Sequence, residues 1–296
     1  MQLDELPKIA GEYKFDVQLK KYTFFKVGGN CDVMFIPSSV SDLEEFLKNK
    51  SRDLPITILG NMSNVLISDF GIRGCVVRLN SIKNIDFYDG YVEVQAGMLL
   101  SDFIIKCAQY NVSSCEKLFC IPGTIGGAVY MNAGIPGFEI SDVILSIDCI
   151  NYLGIKKTFF KNDLNMTYRN GNIPENCIVT SVKLKTYNRR ANDILEEIET
   201  IKTKRLSSQP IGQPTCGSTF KNPEGEKAWE LIKRAGCDRL FVGGAKVSEK
   251  HCNFLINSGT AKALDFIKLI DLIKTRVYEK TGIVLQEEIK IIGDKW

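Results

Sequence analysis

Ile121-Pro-Gly-Thr-Ile-Gly-Gly-Ala-Val129, followed by Met131-Asn-Ala-Gly134, is the stretch on which the reading of this chain turns. Successive glycines let a backbone approach a ligand closely and aim several N–H groups at a phosphate. A second loop of this kind, Gly60-Asn-Met-Ser-Asn64, follows the strand-like Ile56-Thr-Ile-Leu59 and adds neutral Ser and Asn donors. Taken singly, each reads more readily as a set of tight turns. Neither matches G-x-G-x-x-G or G-x-x-x-x-G-K-[ST], so a Rossmann or P-loop site is unsupported. Two such loops beside strands in one domain point to a dinucleotide. Spacing does not say which one.

Outward from the loops, strand patterns cover Ile56–Leu59, Cys75–Leu79 and Tyr91–Gln95, then Val143–Tyr152, Lys156–Phe160 and Ile178–Thr186. Ser41-Asp-Leu-Glu44 has the form of a capping box and predicts a helix starting there. Further helices are expected over Ser101–Tyr110, Asn192–Arg205, 226–235 and 261–280. In the last, Phe266, Leu269, Ile270, Ile273 and Val277 share one face, and Gly282 stops it. Strands and helices do not alternate regularly, so the class reads as α+β rather than a doubly wound sheet. Ser207-Ser-Gln-Pro-Ile-Gly-Gln-Pro214 is the best domain boundary.

The chain has 296 residues, enough for about two domains with cores of their own. Thirty-eight Lys and Arg against 35 Asp and Glu leave a net charge of +3, which argues against a protein built to bind nucleic acid or an anionic membrane. His251 is the only histidine, so a multi-histidine metal site and a histidine relay are both excluded. Ten cysteines show no C-x-x-C pair and no zinc spacing; they read as reduced core thiols, and no metal is expected. The segment Met1–Lys8 lacks a signal-peptide layout, and no apolar run approaches the roughly 20 residues of a membrane span. A soluble, cytoplasmic protein is the expectation.

The chain resembles the UDP-N-acetylenolpyruvoylglucosamine reductases, flavoenzymes of peptidoglycan precursor synthesis. The matching segments are Thr23-Phe-Phe-Lys-Val-Gly-Gly29, both glycine loops, Tyr168-Arg169, Gln209-Pro210 and Gly217-Ser-Thr-Phe-Lys-Asn-Pro223. Gly243-Gly-Ala-Lys-Val-Ser248, His251-Cys-Asn-Phe254 and Leu285-Gln-Glu-Glu-Ile289 complete them, in the family's order, from about residue 22 to 293. Any one is weak; the ordered set is specific. The compact length looks like the family's second type. Met62 and Arg239 stand where the family usually has glycine, and Gln286-Glu287 where Glu-Pro is commoner.

The resemblance implies a vanillyl-alcohol-oxidase (PCMH)-type FAD-binding domain over 1–206, in two α+β subdomains joined by the strand 285–296. A smaller α+β substrate-binding domain would cover 207–284. It implies non-covalent FAD held by Gly60, Asn61, Ser63, Asn64, Pro122, Gly123, Thr124, Gly126, Gly127, Ala128 and Asn132, and NADPH as co-substrate. The implied reaction takes UDP-N-acetyl-3-O-(1-carboxyvinyl)-glucosamine to UDP-N-acetylmuramate, in a monomer. Reducing an enolpyruvyl ether needs a hydride at one alkene carbon and a proton at its neighbour, and the flavin supplies the hydride chemistry.

By the same resemblance Arg169 pairs the substrate carboxylate, which only a guanidinium grips with two parallel hydrogen bonds. Ser218 gives the proton, and Glu288 polarises the substrate or holds a proton near the developing charge. Glu287, facing the other way on a strand, should be its solvated neighbour. Tyr168, Lys221, Asn222, His251 and Asn253 are expected to bind substrate; for His251 a structural role weighs nearly as much. Two other readings stay open: a flavin-dependent alcohol or hydroxy-acid oxidase of the same fold, and a nucleotide-binding module without turnover.

Overall fold

The computed structural model describes residues 6–294 and Trp296. Met1-Gln-Leu-Asp-Glu5, most of the segment read for a signal peptide, lies outside them, as does Lys295. The chain forms two compact units. The first takes the chain up to Phe15, Val33–Asn61 and Gly74–Thr203; the second takes Asp16–Asp32, Met62–Arg73 and the chain from Lys204. The long division therefore falls just before the proline-rich linker. Two short excursions and the carboxy-terminal strand group with the second unit, whereas the sequence reading takes 1–206 with the strand 285–296 as one domain and 207–284 as the other. Pairing rather than chain order decides this: Lys290–Ile292 runs parallel to Val65–Ile67.

The first unit holds an antiparallel sheet in the order Lys156–Phe160, Ile144–Asn151, Cys177–Lys185, Tyr91–Gln95, Ile85–Tyr88. Its alternation is plain in Tyr91–Gln95, where Val92 and Val94 are fully buried and their neighbours are not. The helix Leu100–Gln109 turns Leu100, Phe103, Ile104 and Cys107 onto that apolar face, in one core with Ile147, Val182 and Leu184. Burying a side chain such as Phe103 stabilises by about 3 kcal/mol.

A four-stranded sheet follows the order Glu12–Gln18, Asn30–Ile36, Ile72–Arg78, Ile56–Leu59, its last pair parallel. Val33, Phe35, Cys75 and Val77 from it pack with Leu43, Phe46 and Leu47 of the helix Val40–Asn49. That helix is capped by Ser39, not Ser41: the Ser39 hydroxyl accepts the Asp42 N–H at 3.1 Å. Asp42 in turn accepts the N–H groups of Ser38 and Ala10, at 2.8 and 3.0 Å, so the box closes two residues earlier than the pattern suggests.

In the second unit the strands Phe241–Val242, Ala245–Val247 and Leu255–Asn257 form an antiparallel sheet beside the helices Ala228–Arg234 and Ala263–Thr281. The five expected apolar positions of the long helix are all buried, with Phe266 against Phe25 at a ring separation of 4.2 Å. Asp69, remote in sequence, accepts the first two N–H groups of that helix at 2.9 and 3.1 Å. Gly282 ends it in the left-handed conformation, φ 72°.

The ten cysteines are free thiols, seven of them buried. Burial pushes those of Cys107 and Cys216 up to about 12, which leaves them as packing groups. No helix among the described residues is long and apolar enough to cross a membrane.

Candidate active site

The start of the first glycine loop, Gly60, meets the second glycine loop in the first unit. A Cβ on Gly60 would lie 2.5 Å from Thr124 Oγ1, so only glycine allows this approach. The second loop is less open than its sequence suggests. Thr124 caps a short helix, Ile125–Tyr130, and its hydroxyl accepts the Gly127 N–H at 3.2 Å. The Ile125 and Gly126 N–H groups donate inward, to Met98 O and Ala96 O, both at 2.8 Å. A helix start leaves N–H groups to be satisfied, and here the end of the strand Tyr91–Gln95 and the turn after it supply acceptors. Gly126 is needed for packing, since its Cβ would sit 2.8 Å from that of Ala96.

Pro122 and Gly127 stand exposed at this turn, Gly123 keeps φ 145° while its carbonyl accepts the Leu100 N–H at 3.0 Å, and Gly60 faces Thr124. Nearby, a Cβ on Gly97 would lie 1.9 Å from Leu79 O, and the next residue, Asn80, keeps a buried Oδ1 without a hydrogen-bond partner. Glycine lets these segments pack this closely, and a buried acceptor awaiting a donor, such as a ribose hydroxyl, fits a dinucleotide. Gly60→Ala is accordingly expected to weaken FAD binding about tenfold or more, because overpacking here costs about 1–3 kcal/mol. Flavin fluorescence titration checks this, and an unchanged affinity would show that FAD lies elsewhere.

Arg169 sits at the tip of a tight turn in which Thr167 and Asn170 exchange both main-chain hydrogen bonds at 2.9 Å. Its backbone is left-handed, φ 55°, an unusual state for a long side chain, costing on the order of 1 kcal/mol. The guanidinium is held by Gly134 O at 2.8 Å and more loosely by Glu139, 3.7 Å away, and lies over the Tyr168 ring at 4.7 Å. A strained backbone carrying a propped cation suits a group placed for a ligand rather than for the fold.

Ser218 and Glu288 come together in the second unit. Gly217, φ 79°, turns the chain into an extended segment that bridges Phe254 through Ser218. The next carbonyl, Thr219 O, accepts the Glu288 N–H at 2.8 Å, and the Lys221 N–H reaches Gln286 O at 2.9 Å. Glu288 is thus one strand away from Ser218. The distal end of the first glycine loop joins the same edge. Asn64 Nδ2 donates to Glu288 O at 3.2 Å, and Asn64 O accepts the Lys290 N–H at 2.9 Å. Glu287 is not a solvated neighbour: it is paired with Lys274 at 2.7 Å, both side chains about a third exposed or less. Sequence reading missed Lys290, whose ammonium pKa falls below the usual value through burial and through the charge of Lys221. Its place two residues after Glu288 on an extended segment is the signal that could have found it.

A model of the UDP-N-acetylenolpyruvoylglucosamine reductase C-terminal domain matches residues 209–292, and one of an FAD-binding domain matches 31–157. The UDP-N-acetylenolpyruvoylglucosamine reductases of Rickettsia typhi and Orientia tsutsugamushi are each 43% identical, over 97% and 98% of this chain and 98% and 97% of their own. The chain belongs to that family. The solved reductase of Thermus caldophilus superposes with a TM-score of 0.81 at 30% identity, over 96% of this chain and 99% of its own. As a member of the reductase family the chain is an FAD oxidoreductase of peptidoglycan precursor synthesis, α+β in class, with an FAD-binding domain.

The departures from the family pattern fit this backbone. Met62 adopts the left-handed conformation itself, φ 51°, with its side chain buried, so the loop keeps a glycine-like turn without glycine. Arg239 is not among the positive-φ residues and has no need of glycine there. Gln286 contributes a carbonyl, which any side chain would leave in place.

Three side chains expected at ligands also have partners within the protein. Asn132 is fully buried. It donates to Glu139 at 2.6 Å and to Thr167 O at 3.0 Å and accepts the Ser141 N–H at 3.2 Å. Asn222 Oδ1 accepts the first N–H of the helix Ala228–Arg234 at 3.0 Å. His251 stacks edge-on to Phe254 at 4.8 Å, and its Nδ1 accepts the Asn253 N–H at 3.3 Å. Burial holds the imidazole pKa below its ordinary value of 6.5. Neutral His251 therefore favours the fold above pH 6.5, and that contribution is lost as the pH falls through the lowered native value. His251→Gln should flatten this acid-side loss; urea midpoints at about pH 8 and about pH 5.5 measure it, and an equal drop in both proteins would contradict it.

Proposed function

We propose that this chain reduces the enolpyruvyl ether of UDP-N-acetyl-3-O-(1-carboxyvinyl)-glucosamine to UDP-N-acetylmuramate with NADPH, through non-covalent FAD, as a cytoplasmic monomer. The observation that carries the proposal is the ladder that sets Ser218 beside Glu288, with Glu288 N–H on Thr219 O at 2.8 Å. Gly60, Asn61, Ser63, Asn64 and the segment Pro122–Ala128 would hold FAD, with Asn132 bracing that segment from inside. Bound FAD supplies the transfer of hydride from NADPH to the methylene carbon of the substrate.

The remaining work falls to side chains. Hydride addition leaves negative charge spread from the neighbouring carbon into the carboxylate, and the protein gains rate by stabilising that charge more than the ground state. Arg169 grips the carboxylate with its planar fork. Ser218 Oγ gives its proton to the carbon; serine is a weak acid, so the hydroxyl must be held within hydrogen-bond reach of a strongly basic centre. Glu288 acts on the same charge from the adjoining strand, while Tyr168 and Lys221 hold the UDP-sugar.

Incubation of the FAD-loaded protein with NADPH and the enolpyruvyl UDP-sugar should give a product heavier by two hydrogens, with one NADPH oxidised for each product formed. Mass spectrometry of the product and NADPH absorbance measure the two. Unchanged substrate with oxidised NADPH would overturn the proposal.

A further inference from the structure

We propose that Asn253 is a positioning residue for the proton donor: it holds the backbone that fixes Ser218 against Glu288. The inference rests on the reading of Ser218 given above. Asn253 is 4% exposed, too deeply buried for the substrate contact expected of it. Its carboxamide closes on one residue from both sides. Oδ1 accepts the Phe220 N–H at 2.9 Å, and Nδ2 donates to Phe220 O at 2.8 Å. Its own carbonyl accepts the Thr219 N–H at 2.7 Å. The fourth polar group of this dipeptide, Thr219 O, takes the Glu288 N–H at 2.8 Å.

Every main-chain donor and acceptor of Thr219 and Phe220 is thus committed, three to Asn253 and one to Glu288. The two residues are fully buried or nearly so, which makes any vacancy costly and the arrangement stiff. Ser218 is the next residue, half-buried, and bridged to Phe254, the residue after Asn253. Because Gly217 before it is left-handed and free of contacts on the side where a Cβ would stand, the grip on Ser218 comes from the Thr219 side. A hydroxyl that must meet a carbon within a fraction of an ångström depends on such a clamp; a displacement of about 1 Å can cost about a hundredfold in rate.

The test uses the FAD-loaded protein, reduced with NADPH and then mixed with the enolpyruvyl UDP-sugar in a stopped-flow instrument. Asn253→Ala should slow flavin reoxidation about a hundredfold, with little change in the substrate concentration needed for half-saturation or in flavin reduction by NADPH. Combined with Ser218→Ala it should add almost nothing, because its effect passes through the hydroxyl already removed. A residue with only a structural role would multiply with Ser218→Ala, and that result overturns the proposal. Should the alanine variant not fold, Asn253→Asp enters the same cycle; it keeps the acceptor for the Phe220 N–H and sets an oxygen against Phe220 O. Slow reoxidation in Ser218→Ala beside normal reoxidation in the Asn253 variant overturns this inference alone. Normal reoxidation in Ser218→Ala overturns the proton-donor reading and this one with it.

Discussion

Ser218→Ala is expected to leave flavin reduction by NADPH near normal and to slow its reoxidation by the enolpyruvyl UDP-sugar about a thousandfold. General acid catalysis contributes roughly 10²–10⁴ in rate, and the upper part of that range applies where the proton goes to carbon from an unassisted hydroxyl. The two half-reactions differ in what they ask of Ser218. Reducing the flavin involves no proton at the substrate carbon; reoxidising it leaves that carbon charged until a proton arrives. The surrounding ladder survives the substitution, because Ser218 enters it through its backbone and Thr219, Phe220 and Asn253 carry the buried hydrogen bonds. Equal slowing of both half-reactions would reject the role.

Arg169→Lys is expected to slow the same reoxidation by about 10²–10³ while NADPH reduction stays normal. Lysine keeps the charge and pays the same left-handed backbone cost, so the comparison isolates the planar fork. Arg169→Gly separates the other half of the argument. At φ 55° glycine relieves the strain, so the variant should unfold at an equal or higher temperature while losing at least as much activity. Full activity in the lysine variant, or a large loss of thermal stability in the glycine one, would mean that Arg169 serves the fold.

Periodicity found the five longer helices and six of the strands, because alternation in Tyr91–Gln95 and the stripe Phe266–Val277 are local consequences of one buried face; it missed Glu12–Gln18, Asn30–Ile36, Ile85–Tyr88 and the short strands of the second unit. Caps were harder. Ser39 replaces Ser41, and Asp69 caps a helix far along the chain, since a cap depends on where a carboxylate or hydroxyl lands in space. The return of the carboxy-terminal strand to the amino-terminal half came from the motif order and not from periodicity, since a parallel pairing across more than 200 residues leaves no periodic trace; the grouping of 62–73 with the last third left none either. At the site, the ordered motifs named Arg169, Ser218 and Glu288, and the geometry adds what props each one. Spacing could not show that Asn132, Asn222 and Asn253 spend their amides on the protein itself, or that the Ile125 and Gly126 N–H groups turn inward. A polar residue in a glycine-rich stretch reads the same whether its partner is a ligand or a carbonyl.

The central claim is that the flavin of this chain passes its electrons to an enolpyruvyl UDP-sugar. The measurement that tests it most directly is anaerobic absorbance of the FAD-loaded protein. The yellow colour should bleach with NADPH and return when the enolpyruvyl UDP-sugar is added, with UDP-N-acetylmuramate as product. Colour that returns with oxygen but not with that substrate would contradict the account and place the chain among the flavin-dependent oxidases.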